Sequence, residues 1–241
     1  MYQGIEVFDK LNIIYKHDET NPGISKAFNE GFVYAKNNQK KYIVFFDQDT
    51  LLPEDWFLKY KISVQKYSKY EIFVPIVKVI VHEKEIIGSP SKYYNYNAYP
   101  LENVEIGINS LDDITFCNSG MMVTTECYQK IGGYNEKIRL DFTDRYFVEK
   151  MKNYLKQFIV LDLEIYQHFS FIENDETAML HRMEFYCHDG RVFVTTLRSL
   201  FYIARDSWHN SFELYKKYSN FRFLKIFIVN FIFGRNVKTR V

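Results

Sequence analysis

Cysteine is scarce and poorly placed for cross-linking. The chain has three, Cys117, Cys127 and Cys187, with no Cys-x-x-Cys pair. So odd and scattered a set argues against a disulfide framework or a structural zinc site, and it fits a reducing cytoplasm. Net charge is missing too. Lys and Arg number 31 and Asp and Glu 30, which leaves +1, so no global field draws the chain to nucleic acid. A long apolar run is also lacking. The greasiest stretch, Phe223 to Phe233, is interrupted by Lys225 and Asn230. It falls short of the roughly 18 apolar residues that a bilayer span needs. The opening segment, MYQGIEVFDK, has no apolar core of the signal-peptide kind. No internal repeat or low-complexity tract stands out.

What is present is an ordinary globular composition with an aromatic bias. The 241 residues suit one domain, or one domain with an appendage, and a charged fraction of 25% argues against disorder. There are 22 Phe and 20 Tyr. Tyrosine-rich surfaces suit flat polar ligands such as sugars and bases, because the ring offers an apolar face and a hydroxyl. The plainer account is AT-rich coding bias, which also covers the abundant Lys, Asn and Ile.

Periodicity gives the fold class. Leu11 to Tyr15 reads as a short strand, Asn21-Pro22-Gly23 as a turn, and Ile24 to Asn37 as a helix with apolar Ile24, Ala27, Phe28, Phe32 and Ala35. Lys41 to Phe46 is a continuous apolar strand. Strand, helix and strand in succession predict an α/β fold with a mixed, mostly parallel sheet flanked by helices. A helix over Pro53–Tyr67, a strand over Glu71–Val81, a long polar excursion over 83–114 and a strand at Met121–Thr124 follow. Next come a helix over Thr125–Ile131 stopped by Gly132-Gly133, a helix over Asp144–Leu155 and a strand over Phe158–Leu163. From about Thr177 the chain reads as helix, which divides it into a domain of residues 1–175 and a helical C-terminal region of 176–241.

The chemistry concentrates at "VFFDQDTLLP", residues 44–53, where an apolar run ends in two carboxylates. Ligands of such sheets bind beyond the carboxyl ends of the strands. Asp47 and Asp49 at i and i+2 can converge on one hard cation such as Mg²⁺ or Mn²⁺. The bland account is an acidic loop in which Asp49 caps the next helix. Gly23 opens a helix whose N–H groups can face an anion, and Asn29 sits mid-helix, where Asn is disfavoured without a specific contact. Asp141 and Asp144 precede a helix as a general base or as its caps. His168 follows the last strand among aromatics, where a histidine is more often structural than a ligand.

Taken in order, "NPGISKAFNEG", "FFDQDT", "CNSGMM", "IGGYNE", "LDFTD" and "YQHFSF" resemble family 2 glycosyltransferases of the GT-A type, in the rhamnosyltransferase-like branch. The resemblance covers residues 11 to 205. It implies a GT-A-type, Rossmann-like fold and an inverting transfer from a nucleotide-sugar, a dTDP- or UDP-sugar, to a growing surface polysaccharide or lipid-linked glycan. It implies Mn²⁺ or Mg²⁺ held by Asp47, Asp49 and His168. It makes Asp144, or else Asp141, the base, and places Asn118, Ser119, Gly120 and Arg182 at the sugars and Gly23 and Asn29 near the nucleotide. Where the family often reads Arg-Asn, this chain has His188-Asp189, which stay unassigned. Family members also open with a strand-helix-strand unit for which the ten residues before Leu11 leave no room. A truncated remnant, a subunit completed by another chain and a rearranged sheet are the resulting alternatives. The tail from Lys216 to Val241 mixes apolar and basic residues. It reads either as an interfacial helix at the inner face of the cell membrane or as a packed helix with a solvated basic face. A rival reading is a haloacid-dehalogenase-type phosphatase with Asp47 as nucleophile, although its Asp-x-Asp-Gly-Thr glycine is absent.

Overall fold

The computed structural model describes residues 13–81, 83–167 and 175–234. Its main sheet contains β1 (Tyr42–Val44), β2 (Ile72–Val81), β3 (Lys84–Ser89), β6 (Gly107–Ser110), β8 (Met122–Thr124) and β9 (Gln157–Gln167). The strand order is β1-β8-β2-β9-β6, with β3 also on β2. A second, three-stranded sheet is formed by β4 (Ser91–Tyr94), β5 (Asn97–Pro100) and β7 (Ile114–Thr115).

Two-residue periodicity builds the core. Phe73 and Val77 of β2 join Ile159, Leu161, Leu163 and Ile165 of β9 on one face, with Tyr60 of α2 (Trp56–Lys66). Ile72, Val74 and Ile76 join Phe158 and Val160 on the other. That face is covered by α1 (Ile24–Asn37), α3 (Thr125–Ile131) and α4 (Thr143–Met151), through Phe28, Tyr128 and Phe147 among others. Pro75 interrupts β2 without breaking it. The register between β2 and β9 shifts between Val74 and Ile76, and a bulge is where a central strand can hold a residue with no N–H. Helices α5 (Glu176–Phe193), α6 (Leu197–Tyr218) and α7 (Arg222–Ile226), with a π-helical turn over Phe227–Ile232, bury a cluster of their own. That cluster takes in Ile138 and Phe142 from the segment before α4.

The sheet is mixed, as expected, but not mostly parallel. Among the described pairings only β2 and β9 run parallel. β1 and β2 do point the same way, but β8 lies between them and is antiparallel to both. The polar excursion over 83–114 is also more ordered than expected, because it supplies β3 to β6. Its Tyr/Asn-rich centre is a hairpin in which Tyr94 pairs with Asn97. The loop residues Asn95 and Tyr96 stand at φ 48° and 66°, the left-handed pair that a two-residue hairpin requires. Of the first expected strand, residues 13–15 are described. They lie in no strand and are exposed, since a short apolar run extends only where a neighbour supplies a ladder and a cover.

Candidate active site

The Asp-x-Asp pair stands just past β1, on a loop stitched to the end of β9. Leu51 and Tyr166 form an antiparallel bridge. The next residue of β9, Gln167, donates its amide to Asp47 Oδ2 at 2.6 Å and to Asp49 Oδ1 at 3.5 Å. Both carboxylates therefore converge on one point. Burial raises the proton affinity of Asp47, and the charges of Asp49 and Asp144 raise it further, while the Gln167 bond lowers it. Asp49 does not cap the following helix, whose N-cap position is Asp55.

The segment 118–120 crosses beneath this loop. Ser119 Oγ lies 2.5 Å from Thr50 Oγ1 and accepts the Asp47 N–H at 3.4 Å. Gly120 donates its N–H to Phe45 O at 2.7 Å and accepts the Tyr60 hydroxyl. Buried Asn118 accepts the Tyr134 hydroxyl at 2.6 Å and donates to Thr143 Oγ1 at 3.2 Å, so it links this segment to the start of α4.

The acidic loop meets this region through the Asn118–Thr143 bond and through the charge of Asp144, which acts on Asp47. Asp141 is 9% exposed, and its Oδ1 accepts from Arg182 Nη2 at 2.8 Å. Its Oδ2 is buried and takes no hydrogen bond among the described residues. Burial, with Asp189 and Asp144 adding repulsion and Arg182 and Arg145 opposing it, lifts the Asp141 carboxyl to about 6. Asp144 is half-buried and its Oδ1 accepts the Arg145 N–H at 2.7 Å. Neither acid caps α4, whose N-cap position is Phe142 in the left-handed region at φ 64°.

Gly23 and Asn29 serve the frame around this loop. Gly23, at φ 100°, lies so close to Arg139 that an added Cβ would fall 2.5 Å from its carbonyl oxygen. Ile24 donates its N–H to that same oxygen at 2.8 Å. Asn29 Oδ1 accepts from Tyr128 Oη and the Tyr134 N–H, and its Nδ2 donates to Tyr134 O and Glu136 Oε1. The specific contact that a mid-helix Asn needs is thus within the chain. His168 lies outside the described residues. Among those described, no three His, Cys, Asp or Glu side chains group as a metal centre. A cavity of about 560 Å³ beside Lys78, Glu85 and Glu164 is lined by none of the candidate site residues.

Gln167 sits inside "YQHFSF", where the sequence points instead to its neighbour His168. A glutamine at the end of a buried strand was the available signal. Asp189, left unassigned with His188, reaches the acidic loop from α5.

Residues 3–127, just over half of the chain, match the family model described as glycosyl transferase family 2. The chain belongs to glycosyltransferase family 2. The family 2 chain is also similar in structure to S. aureus TarS 1-349, at 14% identity and a TM-score of 0.50, over 94% of this chain and 59% of that one. GalNAc-T7, solved with UDP, GalNAc and Mn²⁺, aligns at 11% identity and a TM-score of 0.49, over 79% of this chain and 42% of that one. The family 2 chain thus spans less than two thirds of either neighbour. At 14% identity the TarS likeness is one of fold, and it agrees with a mixed GT-A-type α/β sheet flanked by helices. No curated protein matches the sequence. Membership of this family counts against the phosphatase reading of Asp47.

Proposed function

We propose that the family 2 chain moves a sugar, with inversion, from a nucleotide-diphosphate donor to a hydroxyl of a growing surface polysaccharide or lipid-linked glycan. The observation that carries this reading is the convergence of Asp47 and Asp49 on Gln167 at the end of β9. Paired carboxylates at 2.6 and 3.5 Å from one donor, with Asp144 adding to the negative field, are a donor set suited to a hard divalent cation. Asp47 and Asp49, with His168 from the sequence, are the residues that would hold Mn²⁺ or Mg²⁺. When bound, such an ion neutralises the departing diphosphate. Ser119 and Thr50 fix the loop that carries the carboxylates.

Asp141 is the better base of the two acids. Arg182 orients one of its oxygens, and the other has no hydrogen-bond partner among the described residues. A proton affinity lifted to about 6 suits a group that must accept a proton near neutrality. It would take the acceptor hydroxyl's proton as that oxygen attacks the anomeric carbon. Arg182 flanks that carboxylate, and Asn118 joins the start of α4 through Thr143. The donor is a dTDP-sugar such as dTDP-rhamnose, by the motif resemblance, or a UDP-sugar.

Calorimetric titration with dTDP and UDP, with and without Mn²⁺, tests the reading. Binding should require Mn²⁺ and weaken at least about 100-fold in Asp49→Ala. Metal-independent binding, or binding that survives the substitution, would remove the assignment. A second reading, a subunit completed by another chain, is favoured by one observation: β1 is paired on one edge only among the described residues. No nucleotide binding by the folded chain alone, with binding regained beside a partner chain, would establish it.

The C-terminal helices supply a membrane-facing reading. No described helix is long and apolar enough to cross a bilayer. Yet Phe201, Trp208, Phe221 and Ile232 are 64%, 44%, 70% and 52% exposed, and the Trp208 ring packs on Phe212 and Phe227. Arg198, Arg205, Lys216, Lys217, Arg222 and Lys225 outnumber Asp206 and Glu213 over residues 197–234. Aromatic and basic side chains together suit an anionic lipid surface at the inner membrane face. The protein should co-sediment with vesicles containing phosphatidylglycerol and not with phosphatidylcholine alone. Phe201→Glu/Trp208→Glu should release it, and equal sedimentation of that variant would refute the contact.

A further inference from the structure

We infer that Asp189 is a positioning residue that fixes the backbone of residues 139–141 and thereby the carboxylate of Asp141. The functional half of this inference rests on the reading of Asp141 as the base. The structural half does not.

Asp189 is 0% exposed. A carboxylate so buried persists only when its lone pairs are satisfied. Oδ2 accepts three successive backbone N–H groups, from Arg139 at 3.1 Å, Leu140 at 2.8 Å and Asp141 at 3.0 Å. Oδ1 lies 2.8 Å from His188 Nδ1. Consecutive N–H groups aimed at one point form an anion-binding nest, and here the anion comes from the chain's own helix. With every bond of Asp189 directed inward, it is no candidate for touching substrate. What it can do is hold the loop still.

The helix that carries it does this twice. Arg182, Phe185 and Asp189 stand at i, i+3 and i+7 on α5, which places them on one face. Arg182 holds the Asp141 side chain, Asp189 holds the Asp141 N–H, and the Phe185 ring lies 5.3 Å from the Arg139 guanidinium carbon. One helix face therefore grips both the backbone and the carboxylate of the same residue. Close approach is needed for this. A Cβ on Gly190 would stand 3.2 Å from the Phe142 ring and 3.1 Å from Ile203. The next loop residue, Phe142, is held in the left-handed region, a conformation that persists only where the surroundings over-determine it. The anchored loop also supports α1, since Arg139 O accepts the Ile24 N–H and the Arg139 guanidinium donates to Asn21 O. Asp189 thus fixes the segment to which both the candidate base and the Gly23 turn are attached.

Amide hydrogen exchange by NMR tests the anchor without reference to activity. The amides of residues 139–141 should exchange slowly in the wild type. They should exchange at least about 100-fold faster in Asp189→Ala, with β2 and β9 unchanged. Asp189→Asn keeps an acceptor oxygen but loses the charge, so its acceleration should be nearer tenfold. If Asp189→Ala does not fold, Asp189→Asn decides. Wild-type exchange rates at 139–141 in a folded variant would overturn the inference. In sugar-transfer assays, kcat should fall about 100-fold in Asp189→Ala with donor KM within about threefold, and Asp189→Asn should recover part of it. A rise in KM at constant kcat would also overturn the positioning role. If the amides respond as expected but neither wild type nor variant transfers sugar, the anchor stands and the glycosyltransferase reading fails.

Discussion

Asp141→Asn is expected to lower kcat about 1000-fold, within the range that general base catalysis contributes, while donor affinity changes less than about threefold. Asn keeps the shape and can still accept a hydrogen bond from Arg182, but it cannot take a proton. In the wild type the same group, as the proposed base, should set the pH profile. With the carboxyl lifted to about 6, the base is protonated and idle below that pH, so kcat/KM should rise through pH 6 and level off above about 7. The stability effect has the opposite sign. A carboxyl whose proton affinity is higher in the folded state than in the unfolded chain favours folding when protonated. That stability is complete below the usual 3.8 and is lost as pH rises through about 6. The rise is worth on the order of 3 kcal/mol, Arg182 included. Asp141→Asn should therefore be inactive yet more stable than wild type at pH 8, and about equal to it near pH 4. Retention of more than about a tenth of kcat would move the base to Asp144. A stability gain independent of pH would remove the titration argument.

Gly120→Ala should produce the largest loss of stability, about 3 kcal/mol or more. Two separate costs add. Gly120 stands at φ 75°, where an L-residue costs about 1–2 kcal/mol. Its new Cβ would lie 2.4 Å from Pro75 Cγ and 2.9 Å from Ile165 Cδ1. The proline ring cannot swing aside as a flexible chain end would, so overpacking adds roughly 1–3 kcal/mol. The backbone cannot retreat either, because Gly120 is bonded to Phe45 O and Tyr60 Oη on its two sides. A domain stable by about 5–15 kcal/mol would lose a large share. Urea denaturation at pH 7 measures it, and a loss under about 1 kcal/mol would show that the Pro75 bulge relaxes. Because Ser119 meets both Asp47 and Thr50, weakened metal-dependent nucleotide binding should accompany the instability.

Sequence alone determined the local features, because their physics is local. Helix α1 runs over Ile24–Asn37 as its apolar spacing predicts, and α3 ends at Ile131 because Gly132 takes the left-handed cap at φ 83°. The acidic pair could be placed past an apolar strand, and six short motifs in order named the family. Tertiary structure decided what those residues touch. Gln167 reaches Asp47 across 120 positions of sequence, and no period or cap encodes such a meeting. Asp141 and Asp144 look alike in "LDFTD". Only the packing of α5 buries the first against Arg182 and leaves the second half-buried. The neighbours of β8 in the sheet, the inward bonding of Asn29 and the three N–H groups on Asp189 are of the same kind. Each depends on a long-range contact made only when the chain closes, and burial there changes both a group's charge state and its role.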